Sequence, residues 1–134
     1  MQLKITIPGE LPDLNQIIRI AKSHPMAYAK AKGVYTGAVA WECAGCPKGQ
    51  LAMPVDVTCT WITKDLRKDP DNVSAGVKFV LDGLVQAGIL PNDGRKQINS
   101  IKHEFGVDKH NPRVEVVLYE AGKRPQDKAH PEVG

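Results

Sequence analysis

The sequence predicts a small α/β (α+β) domain in which a mixed β-sheet of about four strands carries helices on one face. Three observations lead there. Apolar and polar residues alternate with a period of two near both ends and in the middle of the chain; apolar residues recur at helical spacing between those runs; glycine, proline and asparagine separate the segments. The resulting order is strand, two helices, strand, helix, strand, strand.

"QLKITIPG" is the first strand, with Leu3, Ile5 and Ile7 on one side and Pro8 and Gly9 ending it. In "DLNQIIRIAKSH", Leu14, Ile17, Ile18 and Ala21 follow helical spacing, Asp13 serves as N-cap and Pro25 as stop. The alanine-rich run "MAYAKAKGVYTGAVAWECAG" reads as a second helix, interrupted in propensity at Gly33 and Gly37. After the loop "CPKGQLAMP", the run "VDVTCTWIT" sets Val55, Val57, Cys59 and Trp61 against Asp56, Thr58, Thr60 and Ile62, a strand pattern. One helix is then expected from Asp69 and Pro70, a capping residue and a natural first helical residue, to near Gly88. "QINSIKHEF" and "RVEVVLYEA" follow as strands, and the polar connection "GVDKHNP" between them reads as a hairpin.

A length of 134 residues suits one domain, here residues 1–120; 42% apolar and 25% charged residues argue against a disordered or disulfide-built chain. Residues 121–134 are polar with two prolines, and disorder is expected there. No apolar window reaches the ~20 residues of a membrane span, and "MQLKITIPGEL" lacks the apolar core of a secretory signal. The expectation is a cytoplasmic protein without membrane contact. The net charge of +3 says little by itself, but the basic residues are grouped, notably Lys30 with Lys32, Arg67 with Lys68, and Arg95 and Lys96 with Lys102.

The stretch "DPDNVSAGVKFVLDGL" carries the chemistry. On a continuous helix, Val73, Val77, Val80, Leu81 and Leu84 would face the sheet while Asp71, Lys78 and Asp82 form an opposite stripe. Acidic residues in a first helical turn have an ordinary use, since they offset the helix dipole. Carboxylates beside basic residues have a second use: they can share a hard cation such as Mg²⁺ with substrate phosphate, and such a site activates water and offsets leaving-group charge in phosphodiester hydrolysis. Asp93, in "PNDGRK" beyond the helix, would join the first two only if the fold brought its loop back. Asp82, four residues after Lys78, is read as structural, bonding to a neighbouring loop or pairing with Lys78.

"DPDNVSAGVKFVLDGLVQAGILPNDGRK" resembles the RusA family of Holliday-junction resolvases in its Asp-x-Asp-Asn at a helix start, its helical lysine, its "LDGL" element and its aspartate after the "AG" turn. "ITIPGELPDLN" and "PRVEVVLYE" are similar to that family's opening and closing strands, so the resemblance covers most of residues 2–120. The resemblance implies a homodimeric, Mg²⁺-dependent endodeoxyribonuclease, with Mn²⁺ as a substitute, that resolves four-way DNA junctions in recombination and repair; similar proteins often belong to phages or prophages. It assigns Asp69, Asp71 and Asp93 to the metal, Lys78 to the catalytic lysine, and Asn72 to the signature asparagine. Two departures stand out: Ala75 occupies the position where the family's lysine commonly sits, and Asn92 replaces one of two adjacent acidic residues. Lys30, Lys32, Lys68, Arg95, Lys96 and Lys102 are the candidates for holding DNA phosphates. The alternative is a non-catalytic module that binds DNA structures through the same fold and its basic face alone.

The remaining motifs point to structure. "CAGC" has the spacing of half a zinc site, but no second pair accompanies it, and Cys59 stands apart. Trp41, Trp61, Tyr28 and Tyr35 are read as core.

Overall fold

The computed structural model describes residues 2–125; residues 126–134, most of the expected tail, lie outside the described residues. Its elements are β1 (Gln2–Pro8), α1 (Leu14–Ser23), α2 (Ala27–Glu42), β2 (Val55–Thr63), α3 (Pro70–Ser74), α4 (Val77–Gln86), β3 (Ile98–Val107) and β4 (Arg113–Glu120). The strands form one mixed sheet in the order β1-β4-β2-β3, antiparallel except for the β2 and β3 pair. The fold class is the one the alternation predicts. Among the described residues no helix is long and apolar enough to cross a membrane.

Register explains the core. Ile5 pairs with Val116, Ile7 with Val114, Cys59 with Val116 and Trp61 with Val114, so these side chains share one face. All six are buried, and Val39 from α2 and Phe79, Val80 and Leu84 from α4 close over them. Asp13 caps α1 as predicted: its carboxylate accepts the Gln16 N–H at 2.8 Å, while the Gln16 side chain accepts the Asp13 N–H at 2.9 Å. At the start of β2, buried Asp56 accepts from Ser100 Oγ, Asn99 Nδ2 and the Gly122 N–H. The Ser100 and Asn99 bonds lead in holding its carboxyl below the ordinary value, against the opposing effect of burial. Residues 121–125, expected in the tail, are thus partly fastened to the sheet, with the Ala121 N–H also bound to Pro54 O.

Two expectations are corrected. The strands β3 and β4 do not form a hairpin, because β2 lies between them and pairs with both. The connection 108–112 instead passes the end of β2, where Asp108 donates its N–H to Thr63 O and accepts from His110, Asn111 and Arg113. The single long helix is in fact two, separated at Ala75 and Gly76. A Cβ on Gly76 would sit 3.0 Å from the Trp61 ring and 3.2 Å from Leu11, so the chain turns where only glycine can lie against the indole.

Candidate functional site

The parallel strands β2 and β3 end together, at Thr63 and Val107, and the chain leaving β2 builds a platform there. Thr63 Oγ1 donates to Asp65 O at 2.7 Å, and the Arg67 N–H donates to the Asp65 carboxylate at 3.0 Å. Lys68 then turns inward, its ammonium 3.0 Å from Asp13 and 3.3 Å from Glu10. Burial disfavours both charges, yet the Lys68 pKa is raised by its two carboxylates, and the Asp13 pKa is lowered by the Gln16 N–H and Lys68. The cluster anchors the residue immediately before Asp69 to the connection between β1 and α1.

The next residues are fixed in turn. Asp69 is extended (φ −72°, ψ 153°), its carbonyl accepts the N–H groups of Asn72 and Val73 at 3.1 Å, and Pro70 opens α3. Asn72 Oδ1 accepts the Asn15 N–H at 3.1 Å, which ties α3 to the start of α1. Asn72 therefore orients this helix start. The Asp69 side chain makes no cap bond. Neither it nor the Asp71 carboxylate has a hydrogen bond or ion pair among the described residues, and both residues are exposed. Asp69 lines a cleft of about 240 Å³ together with Leu66, Val73, Phe105 and Val107.

Asp93 lies elsewhere. It lines a second cleft, of about 350 Å³, with Arg95, Ile98, Ser100 and Ile101 at the beginning of β3. Phe105 borders the first cleft and Ile101 the second, and at roughly 3.3 Å per residue those two positions alone are ~13 Å apart. The segment from α3 through α4 carries the chain from one end of the sheet to the other, which is why Asp93 does not return to Asp69 and Asp71. Among the described residues no three His, Cys, Asp or Glu side chains are grouped to hold a metal ion.

Lys78 sits on α4, beyond the break, 3.5 Å from Asp82; Lys32 reaches the same carboxylate from α2, also at 3.5 Å. Asp82 thus has the structural role expected of it, joining two helices. Of the residues expected to hold DNA, Lys68 is engaged within the protein, Lys32 and Lys102 are paired with Asp82 and Glu104, and Lys30, Arg95 and Lys96 are exposed with no ion pair among the described residues. Arg95 lines the same cleft as Asp93, and Lys96 follows it in the chain.

Trp41 corrects another expectation. The buried positions of α2 and its cap are Thr36, Val39 and Cys43, so Trp41 projects from the opposite side and is 78% exposed. Tyr35 packs on Phe79 with ring centroids 5.6 Å apart, as a core residue should. Burial pushes the Cys43 thiol up to about 11, with Cys46 and Glu42 adding to it, and the Cys59 thiol up to about 12, so neither is a ready thiolate. Sequence reasoning missed Glu10 and the inward role of Lys68; only their charge, in segments far apart in the chain, was visible.

Asp69, beside the cleft, and Asp71, two residues on, thus leave exposed carboxylates without partners among the described residues on an anchored helix start. No family model matches the chain, and no curated protein matches it.

Proposed function

We propose that the chain is a Mg²⁺-dependent, structure-selective endodeoxyribonuclease that acts as a homodimer and resolves four-way DNA junctions in the cytoplasm. The observation that carries this reading is the pair Asp69 and Asp71, two carboxylates without partners among the described residues, on a backbone held by Lys68 and Asn72. A divalent cation bound there would neutralise phosphate charge and activate water, and Mn²⁺ would serve in place of Mg²⁺. The chain's own contributions are positional. Asp69 and Asp71 face the substrate backbone, and Lys78, steered by Asp82, supplies positive charge one helix away. Lys30, Arg95, Lys96 and Lys102 hold phosphates without reading bases, which makes binding fall steeply with salt. Asp93 can join the pair only as the partner's Asp93, and two-fold symmetry would then build two equal sites, as paired nicks require.

The second reading, a DNA-structure-binding module that does not cut, draws support from the separation of Asp93 from Asp69 and Asp71 within one chain. A labelled synthetic four-way junction, incubated with Mg²⁺ or EDTA beside a linear duplex of the same sequence, separates the two. Paired, metal-dependent nicks confined to the junction support the nuclease; tight junction binding without nicks in Mg²⁺ or Mn²⁺ rejects it in favour of the module.

A further inference from the structure

The chain between β2 and α3 makes a loop whose two ends are held by one side chain. Glu10 accepts the Lys64 N–H at 3.1 Å with Oε2, and its Oε1 lies 3.3 Å from the Lys68 ammonium. Within that neck Asp65 is gripped twice, its carbonyl by Thr63 Oγ1 and its carboxylate by the Arg67 N–H. Leu66 stands at the apex. It is 87% exposed, the most exposed large apolar side chain among the described residues. Single exposed leucines are common on protein surfaces. This one is different in being held out: a loose loop could fold it down onto Val73 and Phe105 in the cleft below, and the Glu10 clasp keeps the apex raised.

What surrounds Leu66 suits a nucleic acid. Lys64 and Arg67 flank it, both exposed; Lys64 has no ion pair among the described residues, and Arg67 meets only Asp65 of the same loop, at 3.6 Å. Below the apex lies the cleft of about 240 Å³, walled by Val73, Phe105 and Val107 and bordered by Asp69. Asp69 follows Leu66 by three residues, a reach of at most ~11 Å. An apolar side chain between two cations can enter a base step while the cations hold the phosphates beside it, and an apolar cleft can take the base that is pushed aside. Unstacking is costly within a continuous duplex and cheapest where the stack is already interrupted, as at a branch point. A wedge at this place therefore favours branched DNA over linear duplex without reading sequence, and it does so next to the carboxylates of the site.

We propose that Leu66 is the residue by which this chain senses a branch point: it inserts between bases where the stack is interrupted, Lys64 and Arg67 hold the adjoining phosphates, and the displaced base turns into the Asp69 cleft. The proposal rests on branched DNA as the ligand, which both readings above share, and does not require cleavage.

A four-way junction carrying 2-aminopurine, a base whose fluorescence is quenched while it is stacked, tests this in EDTA, where no metal-dependent cut occurs. The probe is set at the branch point or, as a control, in the middle of an arm, and the anisotropy of an end label shows when the junction is saturated with the full chain. The unsubstituted protein should raise the branch-point signal severalfold and leave the mid-arm signal unchanged. Leu66→Ala, at saturation, should lose most of that rise, and Leu66→Met, which keeps an apolar wedge, should retain it. A saturated junction that stays dark, or Leu66→Ala as bright as the unsubstituted chain, would overturn the proposal while the nuclease reading stands. A junction that brightens through Leu66 yet is not cut in Mg²⁺ upholds the wedge and rejects the nuclease. A chain that does not bind the junction overturns both.

Discussion

Trp61 donates its indole Nε1–H to Nδ1 of His103 at 2.9 Å, and the two rings lie nearly stacked with centroids 5.9 Å apart. The bond joins the most buried aromatic of β2 to the edge strand. Because Nδ1 is the acceptor, His103 carries its proton on Nε2 and is neutral in this arrangement. Doubly protonated imidazole has no acceptor and would leave the indole N–H unpaired.

Stability should therefore fall on mild acidification. Burial lowers the His103 pKa below its ordinary 6.5. A histidine with a depressed folded pKa costs nothing above the unfolded value, and stability is lost as pH falls below 6.5 toward the folded pKa. The urea midpoint at pH 5 should lie below that at pH 7.5, and His103→Gln should flatten the difference. An equal slope in the variant would mean that another group carries it.

Asp13 gives a second, more acidic step. Asp13→Ala removes the capping box of α1 and leaves Lys68 with Glu10 alone, and should cost about 1–2 kcal/mol in urea unfolding. Asp13→Asn keeps a cap but not the charge and should cost less. The lowered Asp13 pKa contributes stability above the ordinary 3.8 that is lost as pH falls below it, so the Asn variant should show a shallower acid limb there.

If the chain cuts junctions, Asp71→Asn should lower cleavage by on the order of 10² or more while junction binding persists, because the carboxylate serves the reaction and not the fold. Lys78→Met should lower cleavage by about tenfold, less than Asp71→Asn, since Lys78 stands one helix away from the pair. Its loss should change stability by about 0.5 kcal/mol, the usual worth of an (i, i+4) ion pair, because Lys32 still faces the half-buried Asp82 carboxylate. Retained cleavage in Asp71→Asn would sink the assignment.

How much of this was legible in the sequence depended on whether the signal was local. The alternation of β1 and β2 and the N-cap at Asp13 are written within a few residues, and the structure follows them. Strand order is not local: a connection such as 108–112 suits a hairpin or a step past β2 equally well. The break at Gly76 depends on Trp61, a residue on another element, and glycine inside a helical pattern does not announce it. Asp93 is separated from Asp69 and Asp71 because a crossover between parallel strands must traverse the sheet, and spacing along the chain carries no such distance.

Gly83 and Gly33 provide a paired test of helix packing. Alanine gains about 1 kcal/mol over glycine in a helix interior from backbone entropy alone. At Gly33 a new Cβ would meet nothing within 4 Å, so Gly33→Ala should stabilise by about 0.5–1 kcal/mol. At Gly83, on α4, a Cβ would lie 2.5 Å from Val39 Cβ and 3.1 Å from Thr36 O on α2, and rotamer change cannot move a Cβ or a carbonyl away. The helices must separate, and overpacking of that kind costs roughly 1–3 kcal/mol, which exceeds the propensity gain. Gly83→Ala should therefore lower the thermal midpoint while Gly33→Ala raises it. A stabilised Gly83→Ala would mean that α2 and α4 are not held together at this contact.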